Sequence, residues 1–92
     1  MKPRYIIDLS KTWNKYPVSQ RESHFEELKD EAISTLNKHL PELKKILNEN
    51  AFDILSRLFS ILANSKTPED FNYNWAPIQM FTRNEGISIK FK

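Results

Sequence analysis

The segment 50–62 constrains the fold most strongly, because it predicts a helix with very little surface left for water. Its polar residues, together with Asn64, recur at spacings of three and four and so form one narrow stripe on a helix. The remaining side chains are apolar: Ala51, Phe52, Ile54, Leu55, Leu58, Phe59, Ile61 and Leu62. A helix that is apolar nearly all round must be covered by other elements. We therefore expect this helix to be the centre of a single hydrophobic core.

Length and composition indicate one small domain. The chain has 92 residues, a net charge of +2 and no cysteine. A chain of this length has room for a core but little room for a deep cleft, so we expect residues 1–92 to form one compact domain. Without cysteine it needs no disulfides, which favours a reducing cytoplasm. The N-terminus lacks the apolar run of a signal peptide, and no apolar stretch approaches the ~18 residues of a membrane span. We therefore expect no membrane partner.

Two regions of the chain predict β-structure. Residues 5–9 form a short strand with Tyr5, Ile7 and Leu9 on one face. Residues 78–82 and 87–91 predict a C-terminal β-hairpin, whose turn places Gly86, the only glycine, in a left-handed conformation. An isolated hairpin is marginally stable in water. We therefore expect strand 5–9 to join it in a small antiparallel or mixed three-stranded sheet.

Two to three helices should pack against this sheet, which makes the expected fold class α+β. The capping-box pattern from Ser19 to Glu22 predicts the start of a first long helix. Pro41 should end or kink that helix near His39, with a short helical piece after it. Asn50 and Asp53 are expected to cap the helix 50–62.

The segment after residue 66 carries two conflicting signals. Thr67 followed by Pro68 is a typical helix start. However, Phe71, Tyr73 and Trp75 alternate with asparagines, and a period of two favours extended chain. We therefore expect one helical turn followed by an extended segment.

The sequence does not indicate catalysis. His24 and His39 would lie about 22 Å apart on a continuous helix, so they cannot share a site there. His39 falls beside apolar residues and is expected to be a partly buried structural histidine. No serine has a neighbouring base that marks a nucleophile, and one glycine is too few for a phosphate-binding loop. We expect no enzymatic activity, no cofactor and no metal site.

Five carboxylates lie close together on the first long helix, and we call them the acidic ridge: Glu22, Glu26, Glu27, Asp30 and Glu31. The helical period turns them away from the apolar arc, and Glu27, Asp30 and Glu31 should point most directly into solvent. One interpretation is a solvated face favoured by the helix dipole. The other is a docking surface for a partner with a cationic surface. Lys29 falls inside the apolar arc, and we expect its amine to reach solvent, with burial against a carboxylate as the alternative.

Two groups of aromatic residues are candidate contacts. Trp13 and Tyr16 interleave with Lys11 and Lys15, near Lys2 and Arg4, and such a set can hold single-stranded nucleic acid or close the edge of the core. Tyr73 and Trp75 are expected to cover the core or, if they are exposed together, to anchor a protein interface.

Three functional hypotheses follow. The first is a small binding protein that inhibits or neutralises a protein partner through the acidic ridge, as an immunity protein does for a bacterial toxin or a phage inhibitor for its target. The second is a nucleic-acid-binding accessory protein that uses the basic N-terminal segment. The third is a homo-oligomer or subunit that pairs through the edge of the hairpin.

Overall fold

The computed structural model describes residues 3–90 and shows a mostly helical fold. These residues form two strands and five helices: β1 (Tyr5–Asp8), α1 (Ser10–Trp13), α2 (Val18–Arg21), α3 (Phe25–Ile46), α4 (Glu49–Ala63), α5 (Pro68–Asn84) and β2 (Ile87–Lys90). The predicted three-stranded α+β sheet is therefore wrong. None of the helices in this part of the chain combines the length and the apolarity needed to cross a membrane.

The sheet consists of β1 and β2 alone among the described residues, and the two strands are parallel. Tyr5 lies beside Ile87 and Ile7 beside Ile89. The predicted hairpin is wrong, because residues 78–82 belong to α5. The left-handed conformation of Gly86 is confirmed, with φ at 75°, but this residue ends a helix rather than turning a hairpin. Its N–H donates to the carbonyl of Arg83 at 3.2 Å, as is common where a glycine follows a helix. Phe91 lies outside the described residues.

The helical spacing of apolar side chains explains α5. The helix begins as predicted, with Pro68 in its first turn and the Thr67 hydroxyl accepting from the Asp70 N–H at 3.1 Å. Its inward residues follow spacings of four, three and four: Phe71, Trp75, Ile78 and Thr82. This period matches one face of an α-helix. The alternation that predicted extended chain after the first turn was therefore the wrong period.

Helix α3 continues through Pro41 because leucines on both sides of this proline are buried. Leu36 and Leu43 lie seven residues apart on one face, and both are completely buried. An interior proline costs a helix about 3 kcal/mol, but ending the helix there would displace one of these leucines from the core. The predicted end of this helix near His39 is therefore wrong. Its predicted start is wrong too, because Ser19 lies in α2 and Glu22 in the turn before α3.

Helix α4 is amphipathic rather than buried all round. Its core face consists of Ala51, Leu55, Phe59 and Leu62. Ile54 and Ile61 are 41% and 50% exposed, so the expected all-round burial is wrong. The cap is Asn48, whose side chain accepts from the Ala51 N–H at 2.7 Å, in place of Asn50 or Asp53. Together, β1, β2, α3, α4 and α5 surround one core.

Arg4 joins the ends of two helices beside the sheet. Its guanidinium donates to the Glu85 carbonyl from Nε at 3.0 Å and from Nη2 at 2.6 Å. Nη1 donates to the carbonyl of Ile46 at 3.1 Å. Ile46 is the last residue of α3 and Glu85 is the C-cap of α5. The cation therefore satisfies carbonyls at two negatively polarised helix ends.

Candidate functional site

The acidic ridge is partly engaged inside the molecule. Glu22 lies before α3, and the other four residues lie on it. Glu27 accepts from the Lys15 amine at 2.7 Å through Oε1 and from the Tyr16 hydroxyl at 2.6 Å through Oε2. Glu31 Oε2 lies 3.7 Å from the same Lys15 amine. These contacts hold the segment between α1 and α2 against α3, so Glu27 is not free in the way that the helical period predicted.

Mutual hydrogen bonds shift the pKa of each group around Glu27. Donation by Lys15, and then by Tyr16, holds the pKa of Glu27 below its ordinary value of 4.5. The same bonds raise the pKa of Lys15 above 10.5 and that of Tyr16 above 10.0. The Tyr16 ring also stacks on His24, with ring centroids 3.8 Å apart. This cluster is a structural clamp that the helical period of α3 alone does not reveal.

We predict that acid loosens this clamp. Because the pKa of Glu27 is lowered in the folded state, its contribution to stability is present above 4.5 and is lost as the pH falls through the folded value. A carboxyl NMR titration should place the midpoint of Glu27 below 4.5. Lys15→Met should raise that midpoint, whereas Lys45→Met, at an exposed lysine on the last turn of α3, should not. A Glu27 midpoint at or above 4.5 with Lys15 intact would contradict the clamp.

Lys29 is buried rather than exposed at its tip. The residue is only 8% exposed, and its amine donates to the carbonyl of Ser65 at 2.8 Å. Glu26 Oε2 lies 3.2 Å from the same nitrogen, which agrees with the alternative of a carboxylate partner. Ser65 is the buried residue of the connection between α4 and α5, and a buried backbone carbonyl needs a partner. Lys29 therefore supports that connection.

The ridge retains two carboxylates without an ion-pair partner in residues 3–90: those of Glu22 and Asp30. Glu22 and Glu26 line a shallow cavity of about 420 Å³ together with Lys66, Thr67 and Pro68. The N-terminal end of the ridge therefore lies beside the start of α5. Glu69 and Asp70 add two more acids in the first turn of that helix.

Tyr73 and Trp75 do not form the common aromatic surface that was expected if both were exposed. Residues two apart on a helix are rotated by about 200° around its axis, so they point to nearly opposite sides. Tyr73 is 81% exposed, whereas Trp75 packs against the core with its ring stacked on Phe71 at 6.4 Å. Of this pair, Tyr73 is therefore the one with its side chain in solvent.

A different exposed surface emerges on α5, and we call its residues the α5 face: Tyr73, Ala76, Pro77 and Met80. They follow the helical spacing i, i+3, i+4 and i+7, and Met80 is 69% exposed. No charged residue occurs from Phe71 to Thr82. Met80 was not predicted to belong to such a surface, because residues 78–82 were expected to form a strand. The absence of charge was the signal that could have identified this surface.

The basic N-terminal segment is largely committed to internal contacts. Arg4 binds helix carbonyls, and Lys15 binds Glu27. Trp13 is partly buried and stacks on Phe71 at 5.5 Å, as expected of a residue that closes the core. The Lys11 side chain has no ion pair in residues 3–90, and Lys2 lies outside them. This arrangement weakens the case for nucleic-acid binding.

Both histidines contact a tyrosine: His24 stacks on Tyr16, and His39 contacts Tyr5. His39 is partly buried, as expected, and its Nδ1 forms a hydrogen bond with the Tyr5 hydroxyl at 2.6 Å. Within residues 3–90, no three His, Asp or Glu side chains come together in a way that could hold a metal ion.

No protein-family model matches this chain, and neither the curated proteins nor the solved structures include a significant match.

Proposed function

We propose that this chain is a small non-enzymatic binding protein that covers a surface of a protein partner through the α5 face. The observation that supports this proposal is the exposure of Tyr73 and Met80, at 81% and 69%, on a helix segment without charge. Depletion of charge and enrichment of tyrosine and methionine are typical of interface centres. The spacing of the α5 face also matches the way in which one helix fills an apolar groove.

The acidic ridge is proposed as a charged rim rather than as the centre of the interface. Glu22 and Glu26 lie beside the start of α5, where Glu69 and Asp70 also carry negative charge. We expect the partner to have an apolar groove that binds the α5 face. Cationic side chains at one end of that groove would contact the first turn of α5. Rim charges mainly accelerate association, whereas the apolar centre sets the dissociation rate. Covering a functional surface of that partner would inhibit or neutralise it.

The test begins by trapping the partner at the α5 face. Tyr73 is replaced by the photo-crosslinking residue p-benzoylphenylalanine, and Lys38, exposed on α3, is replaced by the same residue as a control. A partner should crosslink in a native host lysate at position 73 and not at position 38. Its affinity for the intact chain is then measured with purified components. Equal capture at both positions, or capture at neither, would count against the proposal.

We predict that Tyr73→Ser combined with Met80→Ser weakens the affinity for this partner about 100-fold or more. Single anchor residues at an interface centre commonly contribute about 2 kcal/mol or more, and because such contributions are not additive we expect at least about 2.7 kcal/mol for the pair, which corresponds to 100-fold. The pair Ile54→Ser and Ile61→Ser is the matched control, because both isoleucines are exposed on α4. It should change the affinity less than about threefold. Both double variants should keep the circular dichroism spectrum of the parent.

The remaining outcomes separate the alternatives. Glu22→Lys combined with Asp30→Lys should slow association and reduce its salt dependence, leaving dissociation nearly unchanged. A larger loss from this pair than from the α5 pair would make the acidic ridge the centre of the interface. A concentration-dependent dimer that Tyr73→Ser dissociates would assign the α5 face to self-association. In that case the chain would be a homo-oligomer, as the third hypothesis held, but it would associate through α5 and not through the edge of a hairpin.

A further inference from the structure

Pro77 interrupts the hydrogen bonding of α5 in the middle of the α5 face. Proline has no N–H, so the helix offers no donor four residues along to the carbonyl of Tyr73. Tyr73, Ala76 and Pro77 are all exposed, so this carbonyl lies between exposed residues of the helix. The α5 face therefore contains a backbone acceptor that its own helix leaves without a donor.

The surroundings of this carbonyl are apolar and uncharged. Side chains of a helix lean toward its N-terminus, so Met80 leans over the turn that holds Ala76 and Pro77. Residues 71–82 carry no charge. The Tyr73 carbonyl is therefore a partial negative charge within a surface whose own segment has no cation to match it.

A partner that covers the α5 face removes water from this carbonyl. A backbone carbonyl that is buried without a donor costs free energy comparable to a lost hydrogen bond. The partner must therefore supply a donor at this point, together with an apolar surface for Pro77 and Met80. A carboxylate has no donor, and an ammonium or guanidinium group would lose its water where the segment offers no counter-charge. An apolar side chain with a single N–H meets both requirements.

A second exposed proline shows what is particular to α5. Pro41 removes the same donor from the carbonyl of Asn37 in α3. Lys38 and Glu42 flank that position, and both are exposed. A charged surface of this kind keeps its water, so its carbonyl needs no donor from a partner. We therefore expect no comparable site at Pro41.

We propose that the protein partner contacts the α5 face with a tryptophan, whose indole N–H donates to the Tyr73 carbonyl. This anchor rests on the proposed function, because it is the partner's contribution to the same α5 face. Tryptophan joins a large apolar body to an N–H that only donates. Its ring packs against Pro77 and Met80, where a sulfur–aromatic contact adds to the burial. Tyr73 and Met80 lie about 10 Å apart along the helix axis, which leaves room for one indole.

The probes are two blocked tripeptides, serine–tryptophan–serine and the same peptide with 1-methyltryptophan, titrated into the isotope-labelled full chain and followed by NMR. The methyl group removes the indole N–H and keeps the aromatic body. The tryptophan peptide should bind saturably in the millimolar range, with the largest shifts at the amides of Ala76 and Met80. The methylated peptide should bind about threefold to tenfold more weakly.

Pro77→Ala is the deciding substitution, because alanine restores a backbone N–H for the Tyr73 carbonyl. The ratio of the two peptide affinities should then fall to about one, whatever the loss of the proline ring does to both of them. Pro41→Ala restores the same bond in α3 and is the matched control, which should leave the ratio unchanged. Both variants should keep the circular dichroism spectrum of the parent, since alanine favours a helix more than proline does.

The tryptophan anchor is overturned by equal affinities of the two peptides for the parent chain, or by a ratio that Pro77→Ala leaves intact. It is also overturned by tighter binding of the corresponding arginine peptide, or by an absence of saturable shifts at the α5 face. Crosslinking at position 73 tests the proposed function separately. Capture of a partner there with equal peptide affinities would leave the proposed function standing without this anchor. A preference that depends on the N–H, without capture, would support the anchor site and count against the proposed function.

Discussion

Leu55→Ala should lower the free energy of unfolding by about 2–5 kcal/mol. Leu55 is completely buried in the core face of α4, between Ala51 and Phe59. Truncation there removes apolar contacts and leaves a cavity that the neighbouring helices can close only in part. The measurement is a urea or guanidinium unfolding curve, with the slope compared between parent and variant.

The adjacent Ile54→Ala is the matched control. This substitution truncates a similar side chain on the same helix, but Ile54 is 41% exposed. The loss in the free energy of unfolding should therefore stay below about 1 kcal/mol. Leu58, which the apolar pattern alone would suggest as a core residue, is only partly buried, and its truncation should fall between the two. Equal losses at positions 54 and 55 would mean that the core face of α4 is misassigned.

Arg4→Met should lower the free energy of unfolding by about 2 kcal/mol. It removes the donors that satisfy the Glu85 and Ile46 carbonyls. Hydrogen bonds to charged groups contribute about 1.5–3 kcal/mol each, and the exposure of 51% of the Arg4 side chain reduces the total. Methionine keeps much of the apolar stem, so the loss should report on the guanidinium.

Two controls make the Arg4 result specific. Arg4→Lys keeps the positive charge but lacks the planar fork that reaches two helix ends, so it should recover only part of the loss. Arg57→Met removes an exposed arginine for which the structure shows no hydrogen bond within residues 3–90, and it should change stability by less than about 0.5 kcal/mol. An Arg4→Met variant as stable as Arg57→Met would show that the bridge between α3 and α5 contributes nothing.

Local chemistry was predictable wherever one or two neighbouring residues decide it. The cap at Thr67, the helix start at Pro68 and the left-handed Gly86 all follow from side-chain or backbone constraints within a few residues. The strands near residues 5–8 and 87–90 were also predicted from apolar alternation. Their pairing with each other in parallel was not, because the choice of strand partner depends on how the intervening helices pack.

The errors in prediction have two causes: an ambiguous hydrophobic period in the α5 segment, and contacts between residues that are far apart in the sequence. Phe71 and Trp75 satisfy both an alternating and a helical pattern, and only the burial of Ile78 and Thr82 selects the helix. Four of the five acidic-ridge residues lie on α3 as predicted, but Glu27 and Glu31 contact a lysine that no helical period links to them. Lys15 approaches Glu27 from a separate segment, and the carbonyl that Lys29 binds comes from the connection after α4. The exposed surfaces of a small domain depend on such contacts.

The parallel pairing of β1 with β2 sets the order in which this chain can become compact. The α3–α4 and α4–α5 contacts join neighbours along the sequence and can form early. The sheet joins Tyr5 to Ile87, so it must wait for the closure of nearly the whole chain. During synthesis, Ile7 and Leu9 have no sheet partner until the ribosome has passed residue 90. For that interval two of the most buried side chains of the mature fold stay within reach of chaperones and of other nascent chains.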